Sequence, residues 1–180
     1  MANSEKNHPY VVLARRTVER FLNYEPPPSG GAEIDPREEL WNIRRACFVS
    51  IKTAGGDLRG CIGTIAPMRP SLDMEIIGNA ISSSTRDPRF PPMQKDELDE
   101  VVFSVDVLGE PEKVRSRAEL DPKKWGVIVS QGMRRGVLLP DLEGVDSVET
   151  QLEIASRKAG IYDTDGISIE RFSVDRYPEK

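Results

Sequence analysis

The stretch Leu58-Arg59-Gly60-Cys61-Ile62-Gly63-Thr64 places a cation, a thiol and two glycines inside an otherwise strand-like segment. Glycine weakens a strand, and within one it marks a bulge or the close approach of another group. Two glycines flanking one cysteine point to a backbone that is shaped rather than merely packed, and they locate a candidate site. The stretch also decides the fold around it. Upstream, residues 46–53 alternate, with Cys47, Val49 and Ile51 on one side, and Ala54-Gly55-Gly56-Asp57 turns the chain back. The two segments read as a hairpin with Cys47 and Cys61 on neighbouring strands.

Working outward, residues 8–23 read as an amphipathic helix. Val11, Ala14, Val18 and Phe21 recur at helical spacing with Leu22 widening the face, and Arg15, Arg16, Glu19 and Arg20 fill the other side. Tyr24-Glu25-Pro26-Pro27-Pro28-Ser29-Gly30-Gly31 breaks the helix into an extended linker. A short helix is expected from Asp35, with Pro36 at its first position and Glu38 three residues after the cap. A second helix is expected over 70–84, with Leu72, Ile76, Ile77, Ala80 and Ile81 inward. Arg86-Asp87-Pro88-Arg89-Phe90-Pro91-Pro92 holds three prolines and reads as an ordered, non-helical loop. Residues 101–108 are largely apolar on both faces and belong in the middle of a sheet. Trp125–Ser130 and Gly136–Leu139 suggest a second hairpin. A helix over 147–159 takes Asp146 as N-cap and Glu149 as its capping-box partner, and ends with Arg157, Lys158 and Gly160. Ile167, Ile169 and Phe172 lie on a last strand. Hairpins mixed with helices give an α+β fold with a mainly antiparallel sheet packed by helices. A single domain over residues 8–178 follows a flexible segment, 1–7.

Composition narrows the function classes. A chain of 180 residues, 38% hydrophobic, can bury a core without disulfides or metal. No apolar run reaches the roughly 18–20 residues that span a bilayer, and the polar N-terminus lacks a signal peptide's apolar centre. A cytoplasmic protein without membrane contact is expected. Cys47, Cys61 and the single histidine, His8, make no metal-binding spacing, so no metal site is expected. Adjacent strands leave a Cys47–Cys61 disulfide open, and a reducing compartment favours free thiols. No phosphate-binding loop or dinucleotide fingerprint is present, so no cofactor is expected. The net charge of −5 argues against nucleic acid, although arginines cluster at 86–89 and 134–135.

Four blocks carry a family resemblance. Arg59-Gly60-Cys61-Ile62-Gly63, Asp87-Pro88-Arg89-Phe90-Pro91-Pro92, Gly136-Val137-Leu138-Leu139-Pro140 and Arg157-Lys158-Ala159-Gly160 resemble, in order, the motifs of the AMMECR domain family. Leu138-Leu139-Pro140-Asp141-Leu142-Glu143-Gly144-Val145-Asp146 looks like the prokaryotic branch, in which the domain is protein A of the AmmeMemoRadiSam system. The resemblance implies an α+β fold with a larger and a smaller lobe. It also implies a Memo-like protein and a radical-SAM protein as partners, and it supplies no reaction. Many members carry glutamine after Leu-Leu-Pro, where this chain has Asp141.

Three roles stand open for Cys61: nucleophile, pocket lining or core. A thiol reacts as its thiolate, and a neighbouring cation such as Arg59 would favour that form. Arg59 and Arg89 could grip a carboxylate or phosphate, or pair internally, Arg59 with Asp87 or Asp106. Asp87 could relay protons or serve as an internal partner, and Phe90 could stack on a ligand or anchor its loop. Gly60 and Gly63 would let a ligand approach the backbone. The first expectation is a substrate- or partner-binding subunit using a pocket around Arg59–Gly63. The alternative is a cysteine-dependent enzyme using Cys61, with Asp87, on a small anionic substrate.

Overall fold

The computed structural model describes residues 7–163 and 165–180. Of the expected flexible segment 1–7, residues 1–6 lie outside the described residues, while the Asn7 side chain accepts a hydrogen bond from the Lys180 N–H at 2.8 Å. The fold is α+β, with two antiparallel four-stranded sheets in place of the one sheet expected. The chain divides into two compact units, one ending at Val107 and resumed over Arg176–Lys180, the other Leu108–Asp175.

In the first unit, helix α1 (Pro9–Leu22) starts where Pro9 suits a first helical turn and the His8 ring accepts from the Tyr10 N–H. Burial lowers the His8 pKa, as befits a neutral ring that accepts. Strands β1 (Cys47–Thr53) and β2 (Leu58–Gly63) form the expected hairpin, helix α2 (Leu72–Thr85) follows, and β3 (Val101–Leu108) lies inside the sheet. The sheet order is β2-β1-β3-β8, with β8 spanning Val174–Pro178, a strand the sequence pattern did not mark. The core gathers Val11, Leu13, Ala14 and Val18 of α1, Cys47, Val49 and Ile51 of β1, and Leu72, Ile76 and Ala80 of α2.

Several expectations are corrected. Phe21 is exposed rather than inward, and Leu13 and Thr17 take the buried stripe with Val11, Ala14 and Val18. Arg15 is not on a free polar face, because its guanidinium holds Glu179 and the Val101 carbonyl. No α-helix starts at Asp35: its carboxylate accepts from the Arg37 N–H and Nε instead, and only a 3-10 turn, Glu38–Leu40, forms. A side chain that satisfies its own neighbouring backbone competes with the helix it was expected to cap.

The second unit contains β4 (Glu112–Lys113), β5 (Gly126–Gln131), β6 (Arg134–Leu138), α3 (Val148–Lys158) and β7 (Ser168–Phe172), with sheet order β4-β7-β5-β6. Its core joins Val127, Val129, Leu138, Leu152, Ala155 and Ile161. The N-cap of α3 is Ser147, whose hydroxyl accepts from the Thr150 N–H at 3.1 Å. Asp146 lies one residue too early and pairs with Lys123 at 2.8 Å, so the expected capping box is absent. The far end is as read: Arg157 and Lys158 occupy the last turn and Gly160 follows at φ 68°. Asp141 sits at φ 54°, a left-handed backbone that aspartate tolerates better than most residues.

Candidate functional site

The site starts from the register of the hairpin. Cys61 faces Ser50 and Gly60 faces Ile51, while Leu58 faces Lys52. Arg59 is therefore the extra residue of a bulge, and side chains no longer alternate simply across it. Because Cys61 shares the Ser50 face, it lies on the side of the sheet opposite to Cys47, Val49 and Ile51. Both cysteines are free, and no disulfide joins them.

The two glycines are explained by contact. A Cβ on Gly60 would stand 2.1 Å from the Ser83 carbonyl oxygen of α2, and one on Gly63 would stand 2.2 Å from the Phe48 ring. Their absence lets the helix and an aromatic ring reach the strand. Helix α2 then fastens the hairpin with polar groups: the Ile62 N–H donates to Ser83 Oγ at 2.8 Å, and Ser83 Oγ donates to the Val49 carbonyl at 2.7 Å.

The proline-rich loop closes the outer edge. Strand β2 is an edge strand, whose outward N–H groups need partners. The Cys61 N–H donates to Asp87 Oδ2 at 2.9 Å. Asp87 also accepts from Arg89 Nη2 at 2.7 Å, Arg89 Nε at 2.9 Å and the Arg89 N–H at 3.1 Å. The Arg89 guanidinium holds this carboxyl well below the usual carboxylate range, with the Cys61 N–H adding to the effect. Asp87 thus has no proton to relay near neutrality.

Arg59 pairs with neither Asp87 nor Asp106. It forms a two-pronged bond with Glu97, at 2.6 and 2.9 Å, and this lowers the Glu97 pKa. Asp106 is taken by Arg176 at 2.8 and 3.0 Å. The Phe90 ring centre lies 5.9 Å from the Arg59 guanidinium carbon and 5.6 Å from that of Arg89, within cation–π range. Arg89, with 55% of its side chain exposed, is the cation that faces solvent, whereas Arg59 is only 13% exposed.

The Cys61 thiol accepts from Ser50 Oγ at 3.2 Å. Burial pushes its pKa up, against smaller lowering by Ser50 and Arg89. The loop's Arg89, rather than the adjacent Arg59, is the cation felt by the thiol. Ser50, Ser83 and Glu97 were not foreseen. Ser83 had a signal in the sequence: with Glu75 and Asn79 it forms a polar line four residues apart beside the apolar stripe of α2, and polar groups there are informative because burial must satisfy them. Glu97 had none, since its place depends on a 3-10 turn, Lys95–Glu100.

The AMMECR1 family model matches residues 11–177. A Thermotoga maritima protein is 52% identical over 175 residues, covering 94% of this chain and 97% of its own. A Clostridium acetobutylicum protein is 47% identical over 183 residues, covering 99% of this chain and 37% of its own. An uncharacterised protein from Pyrococcus horikoshii, known as a crystal structure, superposes with a TM-score of 0.84 at 31% identity, covering 97% of this chain and 93% of that one. Among the described residues no helix is long and apolar enough to cross a membrane.

Proposed function

The chain belongs to the AMMECR1 family, and on that premise we propose that it is a substrate- or partner-binding subunit working with a Memo-like protein and a radical-SAM protein. The binding face is Arg89 and Phe90 beside Arg59 and Cys61. One observation carries the reading: the groups that chemistry would need are committed internally. The Asp87 carboxylate holds Cys61 and Arg89, the Arg59 fork holds Glu97, and burial favours the neutral Cys61 thiol. Nucleophilic use of the thiol requires the opposite tendency. Arg89 remains, with Nη1 free of hydrogen-bond partners among the described residues and a ring alongside. A guanidinium already oriented by a carboxylate loses little freedom when it meets an anionic group. The Clostridium acetobutylicum relative is consistent with this reading, since its matching region shares one chain with further sequence.

Co-purification and titration calorimetry with the two partners test the proposal. The folded chain should bind at least one of them. Arg89→Ala and Phe90→Ala should each weaken binding about tenfold, in line with arginine and aromatic anchors at interfaces, and Cys61→Ser should leave it intact. Binding to neither partner, or binding indifferent to both substitutions, would overturn the reading. The alternative, a cysteine-dependent enzyme acting on an anionic substrate, draws on the Ser50 hydroxyl beside the thiol of a half-buried Cys61. Loss of turnover in Cys61→Ser with partner binding retained would select it.

A further inference from the structure

The second unit holds a cavity of about 390 Å³ against one face of α3. Glu149, Leu152 and Ser156 recur at helical spacing and form one wall, while Ile161, Tyr162 and Ile167 complete the apolar lining. Ser156 is only 5% exposed, and its hydroxyl has no hydrogen-bond partner among the described residues. Helical serine and threonine commonly return the hydroxyl to the carbonyl four residues earlier. Thr17 and Thr85 do so in this chain, at 2.8 and 2.7 Å. Ser156 does not. A buried hydroxyl left unpaired is costly, and this one lines a cavity.

The mouth carries charges of both signs. Arg157 and Glu153 bind each other at 2.5 Å. Arg117 and Glu149 are exposed lining residues, and neither side chain has an ion-pair or hydrogen-bond partner among the described residues. A simple anion would gain from one and be repelled by the other, as would a simple cation, whereas a ligand with both charges matches the pair. Leu152 and Ile161 are buried and Ile167 half-buried, so an apolar body suits the space between the charged mouth and the Ser156 hydroxyl. The volume falls in the range of small-molecule sites.

We propose that this cavity binds a zwitterionic amino acid whose apolar side chain ends in a hydrogen-bonding group, with tyrosine as the representative. Arg117 meets its carboxylate, Glu149 its ammonium group, and Ser156 the far hydroxyl. The site is independent of the face around Cys61.

Titration calorimetry on the full chain tests it with L-tyrosine, L-phenylalanine and tyramine, which lacks the carboxylate. Saturable 1:1 binding of L-tyrosine is expected. L-phenylalanine should bind roughly fivefold to tenfold more weakly, for one hydrogen bond lost, and tyramine at least about tenfold more weakly, for a lost charge-assisted bond. Ser156→Ala should erase the tyrosine–phenylalanine difference without lowering the melting temperature. Arg117→Gln and Glu149→Gln should each weaken L-tyrosine about tenfold. No saturable binding of L-tyrosine, equal binding of L-tyrosine and L-phenylalanine to the unaltered chain, or a preference that survives Ser156→Ala would each overturn the proposal. The first two results need no variant.

Discussion

Replacing Gly60 by alanine tests the packing account of the motif directly. The new Cβ would stand 2.1 Å from the Ser83 carbonyl oxygen, a backbone atom that cannot rotate away, and 3.2 Å from its carbonyl carbon. Strand and helix must separate by about 1 Å to restore contact distance. Overpacking of this kind costs roughly 1–3 kcal/mol. Separation also strains the bonds from Ile62 to Ser83 and from Ser83 to Val49, each worth about 0.5–1.5 kcal/mol. Alanine restricts the unfolded chain and returns about 0.4–1 kcal/mol. The net loss is about 1–5.6 kcal/mol, which for a chain of this size lowers the melting temperature by roughly 2–22 °C. Gly55→Ala is the control, because its Cβ would meet only Thr53 Oγ1 at an ordinary 3.7 Å, and it should melt within about 3 °C of the unaltered protein. Differential scanning calorimetry of the two variants decides the matter. If Gly60→Ala melts like Gly55→Ala and loses partner binding, the glycine serves a ligand and the packing argument fails.

Three further outcomes follow from the same contacts. Glu75, fully buried, accepts from Thr64 Oγ1 and from the Met68 and Arg69 N–H groups, so Glu75→Ala should cost about 3–5 kcal/mol by urea unfolding; a loss below 1 kcal/mol would contradict the burial of those donors. Asp87 has a lowered folded pKa, so its stabilisation is present above the unfolded value near 3.9 and disappears as pH falls through the folded one. The acid unfolding profiles of Asp87→Asn and the unaltered chain should therefore converge below about pH 4, and a constant gap down to pH 2 would show that the carboxylate charge is not what matters. Burial pushes Cys47 up to about 12; the folded state keeps its proton after the unfolded thiol loses it, so stability should fall as pH rises from about 9 towards 12. Cys47→Ala should flatten that slope in pH-dependent chemical denaturation, and an unchanged slope would assign it to another group.

Much of the fold was legible because its strongest signals are local. Alternation over residues 46–53, the turn Ala54-Gly55-Gly56-Asp57 and the glycine-bearing strand after it specify a hairpin without long-range information, and the apolar 101–108 segment announces its interior place. Caps were less legible. Asp146 and Ser147 are both good capping residues, and only the actual start of α3 decides between them. Strand β8 was missed because Val174-Asp175-Arg176-Tyr177-Pro178 shows little apolar alternation. Its pairing in the sheet comes with a tie between Arg176 and Asp106, a residue 70 positions away. At the candidate site, the residue types were readable and their partners were not. Arg59 was weighed against Asp87 and Asp106, yet Glu97 holds it, because a bulge turns its side chain and a 3-10 turn delivers the carboxylate.

Helix α2 separates the role of the motif from that of the proposed binding face. Ser83 reaches the Val49 carbonyl of β1 and the Ile62 N–H of β2, and Asn79 reaches the Cys47 carbonyl at 2.9 Å. Glu75 gathers Thr64 and the backbone of the loop that follows β2. Three side chains, one helical turn apart, thus set the path of the chain from Cys47 to Arg69 from the core side. The outer side is made by a different segment, the Asp87–Phe90 turn, which contributes one carboxylate to the strand edge and leaves a guanidinium towards solvent with a half-buried ring beside it. Substitutions in Gly60, Gly63, Ser83 or Glu75 therefore act first on stability. On the proposed reading, substitutions in Arg89 or Phe90 act first on binding, and that division makes a motif of buried contacts compatible with a binding role.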